Sequence, residues 1–537
     1  MPAEPTYVVV GASLAGARAA EALREQGFDG RIELIGAEAE RPYNRPPLSK
    51  GFLLGETPRD KVFVHAESFY ADNEIELRRA TTVEAIDTSS GEVVLAGSER
   101  SRFDRLLLAT GAEPRRLSVP GAGLDGILYL RDLDDAERLR DRIEQGGRAV
   151  FIGAGWIGAE VAAVARETGL EVTIVERGSV PLERVLGREV GAVFADLHRE
   201  HGVDFRSGTT LEGFEGNGSV ERVRTTDGRQ IEADVVVVGI GVIPRTSLAE
   251  QAGIRVENGI LVDEHLQTSV PGIFAAGDVA NARHPLYGQH LRFEHWSNAR
   301  YQGPAAAASM LGGGDPYGRI PFFFSEQYDV AVRYSGYAAR WDEVVFRGDP
   351  ATREFMVFWL ADGRVLAGMD VNAGEGREAV EALILASKEI DRARLADLSV
   401  PLATAISEPV ARGRRSRGNP LAAATGFVAD GLNFTRRFVG DRLSTAEAMP
   451  VDELADGEAR ISSVDGAKVA VYKDETGSIH AVSPVCTHMR CLVDWNAVEK
   501  TWDCPCHGSR FDVDGHVLEG PAKRDLEPKE VPPGSAR

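Results

Sequence analysis

Short apolar runs recur through the first half of the chain, and most of them end in glycine. Tyr7–Val10, Arg31–Ile35 and Leu106–Ala109 read as buried strands, with an Ala-rich helix predicted after the turn Gly11 to Gly16. The pattern then restarts. Strands are predicted at Ala149–Ile152 and Val172–Val175 around a helix from Glu160 to Thr168, followed by strands at Val235–Val238 and Ile273–Ala275. Strands alternating with helices predict parallel sheets, and two glycine turns about 140 residues apart predict two dinucleotide-binding units. From Pro321 to about Val371 the texture changes to aromatic-rich alternating strands, as in Phe355–Leu360. Residues 375–398 read as helical, the stretch 411–420 has linker composition, and short strands between Gly/Asp turns follow from Val451. The expected fold class is α/β. A first dinucleotide unit comes in two parts (1–113 and 244–320) around a second (114–243). An α+β domain (321–410), a linker (411–450) and an all-β module (451–537) complete the chain.

Composition narrows the partners. At 537 residues the chain exceeds one compact core. Its net charge of −21 argues against nucleic acid, whose phosphates need a basic face. The charge is uneven: residues 411–450 carry seven basic and three acidic side chains, between bodies of net −19 (1–410) and −6 (451–537). That strip, from Arg412 to Arg442, is expected to lie against the first acidic body. No apolar run approaches the roughly 18 residues of a membrane span. The start MPAEPTYVVV runs straight into a strand, so a cytoplasmic location is expected.

The two turns carry the first chemistry. In Gly11-Ala-Ser13-Leu-Ala15-Gly16, small residues let backbone approach a pyrophosphate at a helix N-terminus. Ser13 replaces the middle glycine, so alone this run also suits an ordinary tight turn. Gly153-Ala-Gly155-Trp-Ile-Gly158 is the full fingerprint, and Glu176 follows 18 residues after Gly158, where an acid can bond a ribose 2′-OH. An acid there also repels a 2′-phosphate and so favours NADH over NADPH, a preference that Arg177 weakens.

The loop Pro42-Tyr-Asn-Arg45-Pro-Pro-Leu-Ser-Lys50 resembles the flavin loop of NADH:ferredoxin reductases. That family includes putidaredoxin reductase and biphenyl-dioxygenase reductase, with apoptosis-inducing factor a relative. The resemblance runs from residue 5 to about 400 and takes in Leu108–Gly111, Gly277–Asp278 and Glu294–Asn298. It implies a flavoprotein with Rossmann-like FAD and NAD domains. It also implies that Ala15, Val83, Arg131 and Asp278 contact FAD, with Arg45 and Lys50 along the flavin and Trp296 near the isoalloxazine. Glu160 would approach the nicotinamide side and pair with Lys50. The family's ribose-binding acid falls at Ala37, whereas this chain offers Glu38. Related disulfide reductases carry a cysteine pair beside the flavin; here all four cysteines lie between 486 and 506.

Those cysteines form the second chemistry. Cys486-Thr-His488 is followed after 15 residues by Cys504-Pro-Cys506-His507-Gly-Ser509. Two Cys and two His in paired short loops match a Rieske [2Fe–2S] centre, where two His replace two Cys on one iron. The alternative is zinc, although its Cys₂His₂ modules usually space their ligands C-x₂-C and H-x₃-H. Positions 480–520 resemble the Rieske domain fused to the C-terminus of some bacterial flavin oxidases. The resemblance to respiratory Rieske proteins implies a Cys491–Cys506 disulfide and a Ser509 hydroxyl donating to a cluster sulfide. Where high-potential members have tyrosine, this chain has Phe511.

Together these readings predict an enzyme that takes hydride from NADH onto FAD and passes single electrons to its own [2Fe–2S] cluster. The electrons would go on to an unidentified acceptor, a protein or small molecule such as an oxygenase or cytochrome. Two other readings keep the same folds. One is a redox sensor of apoptosis-inducing-factor type; the other is an NADH oxidase with a structural Rieske appendage.

Overall fold

The computed structural model describes residues 4–374, 377–406, 454–455, 457–464, 467–487, 493–496, 500–504, 509–519, 522 and 524–529. The chain divides into two compact units, Met1–Ser407 and Glu408–Arg537.

The first unit contains two parallel five-stranded sheets. One has the order Ile273–Ala275, Arg105–Leu108, Thr6–Val10, Arg31–Ile35, Ile75–Arg78. The other runs Asp204–Arg206, Glu171–Val175, Arg148–Ile152, Val235–Val238, Ile127–Leu128. Their central strands are apolar because helices or further strands cover both faces: Val8, Val9, Leu106, Leu107 and Leu108 have no exposed surface. The chain leaves the first sheet through Ala112–Pro114 and returns through Val242–Pro244, and these two connectors pair as an antiparallel ribbon. The second sheet is thus inserted into the first fold.

A third, antiparallel sheet follows, in the order Phe322–Gln327, Val330–Gly336, Arg364–Val371, Glu354–Ala361, Glu343–Asp349. Its alternation serves two cores. Phe355, Val357 and Trp359 pack with Leu186, Val190 and Phe194 of the helix Glu183–Glu200. Met356, Phe358 and Leu360 pack on the other face with Val380, Leu383 and Ile384. The Trp359 indole N–H donates to the Leu186 carbonyl at 3.0 Å, joining this sheet to the inserted domain.

Two predicted elements differ. The helix expected from Glu160 starts at Trp156, because Gly155 is its N-cap and the last fingerprint residues already form its first turn. The helical stretch 375–398 breaks into Arg377–Ala386 and Arg392–Ala396. Ser387 takes a positive φ of 48°, and the Asp391 carboxylate then caps the second helix through the N–H groups of Ala393 and Arg394.

The second unit is all β among its described residues. It holds a three-stranded antiparallel sheet, Ala459–Val464, Ala467–Lys473 and Ile479–Val482. A four-stranded sheet runs Asp494–Asn496, Thr501–Asp503, Arg510–Phe511 and Val517–Glu519. The strip Arg412–Arg442 lies outside the described residues. Among the described residues no helix is long and apolar enough to cross a membrane.

His198, wholly buried between the inserted domain and the third sheet, gives the first unit an acid-sensitive joint. Its Nε2 and Nδ1 lie 3.1 Å from Gln327 Oε1 and 3.1 Å from Tyr328 Oη. Burial drives its pKa from 6.5 down to about 4, opposed by the Gln327 bond and helped by the charge of His201. Between these values the unfolded chain binds a proton that the folded chain does not, so stability falls as pH falls through that window. The full separation corresponds to roughly 3 kcal/mol. Burial lowers His284 and His295 as well, with the same sign. Melting temperatures from pH 7 to pH 4 should therefore drop less steeply in His198→Gln than in the wild type. Parallel curves would show that this histidine is not the titrating group.

Candidate functional site

Both parallel sheets present the carboxyl ends of their strands to one groove of about 1690 Å³. A single small-molecule site occupies roughly 300–1,000 Å³, so the groove has room for two dinucleotides. Gly11, Ser13 and Ala15 line it from the first sheet, and Gly153, Gly155 and Gly158 from the second. Gly16 stands behind the wall: an added Cβ would lie 2.0 Å from the Gly11 carbonyl oxygen. Gly11, Gly153 and Gly158 are equally constrained, at 2.1, 2.6 and 2.5 Å from backbone oxygens. Gly155 differs. The nearest protein atom to its Cβ would be Gly239 O at 3.8 Å, so packing does not require a glycine there and its bare backbone faces open groove. The helices Leu14–Glu25 and Trp156–Glu167 both open here without a side-chain cap bond, which leaves their first N–H groups for an anion. The residues present fit two pyrophosphates.

Acids and bases are arranged around these turns. The Glu176 carboxylate accepts from Ala154 N at 2.7 Å and Gly178 N at 2.6 Å, keeping further lone pairs for a hydroxyl. Glu38 accepts from Tyr43 Oη at 2.5 Å and Arg45 Nη2 at 2.8 Å. Burial would raise the Glu38 carboxyl, but the Arg45 charge and these bonds outweigh it and hold it below the usual range. Arg131 pairs with Asp278 at 2.9 Å, and both line the groove, as does Val83 at the start of its strand. Trp296 donates to Asn44 Oδ1 at 2.8 Å, with the Arg300 guanidinium 5.0 Å from its ring centre. Its neighbour His295 is pushed down to about 4 by burial, against the pull of Asp278, and so is neutral at pH 7.

Lys50 and Glu160, 110 positions apart, form an ion pair of 2.7 Å at the groove wall. Two serines that the motifs do not mark, Ser49 and Ser325, also bond Glu160. Ser49 stands beside Lys50 in the proline-rich loop. Ser325 carries no signal of its own in the strand Phe322–Gln327, whose second half is polar throughout.

In the second unit Cys486 and Cys504 are wholly buried in one core with Tyr472, Val493, Trp502 and Phe511. Ser509 is also buried, and its hydroxyl oxygen accepts from Ala522 N at 3.1 Å, which leaves its proton for another acceptor. His488, Cys491, Cys506 and His507 lie outside the described residues.

Comparison with known proteins accounts for this division. Residues 5–303 match the pyridine nucleotide-disulphide oxidoreductase family and 322–406 the reductase C-terminal domain. The chain belongs to the pyridine nucleotide-disulphide oxidoreductases. Residues 444–530 match the Rieske [2Fe–2S] domain. The ferredoxin–NAD(+) reductase component of the anthranilate 1,2-dioxygenase system of Burkholderia cepacia is 41% identical over 406 residues, covering 75% of this chain and 100% of that protein. Putidaredoxin reductase of Pseudomonas putida is 38% identical over 408 residues, 75% of this chain and 97% of that protein. The covalent putidaredoxin reductase–putidaredoxin complex matches with a TM-score of 0.72 and 38% identity, over 74% of this chain and 97% of that one. This oxidoreductase is of the ferredoxin-reductase type, with FAD, NADH and a Rieske [2Fe–2S] cluster as its cofactors. Despite the family name, its first 485 residues contain no cysteine, so the first unit supplies no thiol pair to the groove.

Two outcomes follow from these side chains. Glu176→Ala should narrow the preference for NADH over NADPH in steady-state kcat/KM; a wild type that prefers NADPH would give the decisive role to Arg177. Hydrogen bonds to sulfur favour the reduced, more negative cluster. Ser509→Ala should therefore lower the cluster midpoint and Phe511→Tyr raise it in a redox titration. Unmoved midpoints in both would place these side chains away from the cluster.

Proposed function

We propose that this oxidoreductase takes hydride from NADH in its groove and delivers single electrons to the Rieske cluster of its own second unit. The observation that carries the reading is one chain holding a groove sized for two dinucleotides and a Rieske domain. When bound, FAD supplies the conversion between the two electrons of a hydride and the single electrons that a [2Fe–2S] cluster accepts.

The chain's own residues would then divide the work. Gly11, Ser13, Ala15 and Gly16 give one helix N-terminus to the FAD pyrophosphate. Gly153, Gly155 and Gly158 give the other to NADH, with Glu176 on its ribose. Glu38 takes the FAD ribose, one position beyond the family's usual acid. Val83, Arg131, Asp278 and Trp296 hold FAD, and Arg45 and Lys50 lie along the flavin. Glu160 fixes Lys50 and borders the nicotinamide. Cys486 and Cys504 would hold one iron, and His488 and His507 the other. The relatives' names support a ferredoxin or an oxygenase as the onward acceptor. The NADH pool supports a cytoplasmic site of action. The working division is 1–113 with 244–320 for FAD, 114–243 for NADH, 321–410 for the reductase C-terminal domain, 411–450 for the linker and 451–537 for the cluster.

The purified chain should contain one FAD, two irons and two acid-labile sulfides. NADH should bleach flavin and cluster in sequence, with a cluster rate that does not change on tenfold dilution. A rate proportional to protein concentration would mean transfer between chains. Zinc without labile sulfide would remove the electron-transfer account.

A further inference from the structure

Glu160 is 4% exposed, and a buried carboxylate is tolerated only when donors face it. Its Oε2 accepts from Lys50 Nζ at 2.7 Å and from Ser49 Oγ at 2.5 Å. Its Oε1 accepts from Ser325 Oγ at 2.7 Å. These donors come from separate parts of the fold. Ser49 and Lys50 belong to the proline-rich loop of the first domain, and Glu160 to the helix Trp156–Glu167 of the inserted domain. Ser325 comes from the antiparallel sheet, more than 160 residues later.

Ser325 is held firmly. It is 1% exposed, its backbone is in register with Val332, and its strand packs against the helix that carries Glu160. A hydroxyl has one proton to give, and this one goes to Glu160. Without it, Oε1 would lose this donor, and the carboxylate could turn about its last torsion and draw Oε2 away from Lys50 and Ser49. The next residue feels the same cluster. Burial raises the Glu326 carboxyl, Lys50 opposes that shift and Glu160 adds to it. The antiparallel sheet thus reaches the charged pair at the groove wall.

We infer that Ser325 is a positioning residue for hydride transfer. It fixes Glu160 so that Oε2 holds Lys50 in place, and Ser49 does the same from the opposite oxygen. This role rests on the functional reading above. Ser325→Ala, purified with its FAD, should slow single-turnover flavin reduction at saturating NADH by about tenfold. The apparent dissociation constant for NADH should stay within about twofold, because Ser325 does not line the groove. Ser325→Thr, which keeps the hydroxyl, should restore the rate. In a Glu160→Gln background the alanine change should cost nothing more.

A second readout does not depend on turnover. The infrared carboxylate band of Glu160, assigned by its loss in Glu160→Gln, should move in Ser325→Ala and return in Ser325→Thr. An unmoved band with a wild-type rate would overturn the positioning role and leave the functional reading intact. A moved band with an unchanged rate would make Ser325 a structural donor only, which also overturns the role. A wild-type flavin that NADH does not reduce would overturn the functional reading and this role with it.

Discussion

At each of the two strand-to-helix turns, backbone lies against backbone where a side chain would otherwise begin. A Cβ added at Gly16 or Gly158 would lie 2.0 or 2.5 Å from the carbonyl oxygen of the glycine that opens the same turn. Each helix therefore starts directly over the end of its central strand, with its uncapped N–H groups pointing out of the sheet. The antiparallel ribbon of Ala112–Pro114 and Val242–Pro244 then ties the two sheets together. Both turns consequently open on one groove rather than two. The rest of the site depends on that placement. Side chains of the first domain are within reach of side chains of the inserted one, as the Lys50–Glu160 pair illustrates.

The third sheet closes this arrangement. Its two faces bury two different cores, one shared with the helix Glu183–Glu200 of the inserted domain. Trp359, His198 and Ser325 each bond across that contact: Trp359 to Leu186, His198 to Gln327, and Ser325 to Glu160. A buried acid drawing donors from two other domains couples their alignment. If one body shifts, it leaves a charge or a hydroxyl without its partner, which is costly in a dry interior.

What the sequence revealed follows the same physics. The two sheets were readable because buried parallel strands are continuous apolar runs, such as Val235–Val238, with glycine at the turns that follow. The Lys50–Glu160 pair came only through family resemblance, since nothing local links residues 110 positions apart. Ser325 was illegible for a related reason. A buried serine after three phenylalanines carries no motif, and its meaning appears only when another domain brings Glu160 opposite it. The start of the helix at Trp156 was missed because its first turn is the glycine fingerprint itself, which reads as loop. The break at Ser387 needed a positive φ that a non-glycine residue does not advertise.

The charge distribution bears on why a Rieske domain belongs on the same chain. Residues 1–410 carry net −19 and residues 451–537 net −6. As separate proteins, two acidic bodies gain no electrostatic steering toward each other, and at physiological salt their repulsion is screened beyond about 8 Å but not at contact. Covalent linkage removes the dependence on encounter. Linked binding partners meet at an effective concentration that reaches about millimolar when the linker is short, whatever the charges do at long range. The segment between them has the opposite sign, with seven basic and three acidic side chains over residues 411–450. Attraction between that segment and either body is then intramolecular, so its strength is set by salt and not by protein concentration. A reductase that relies on a free acceptor needs complementary surfaces; one that carries its acceptor can keep both bodies acidic.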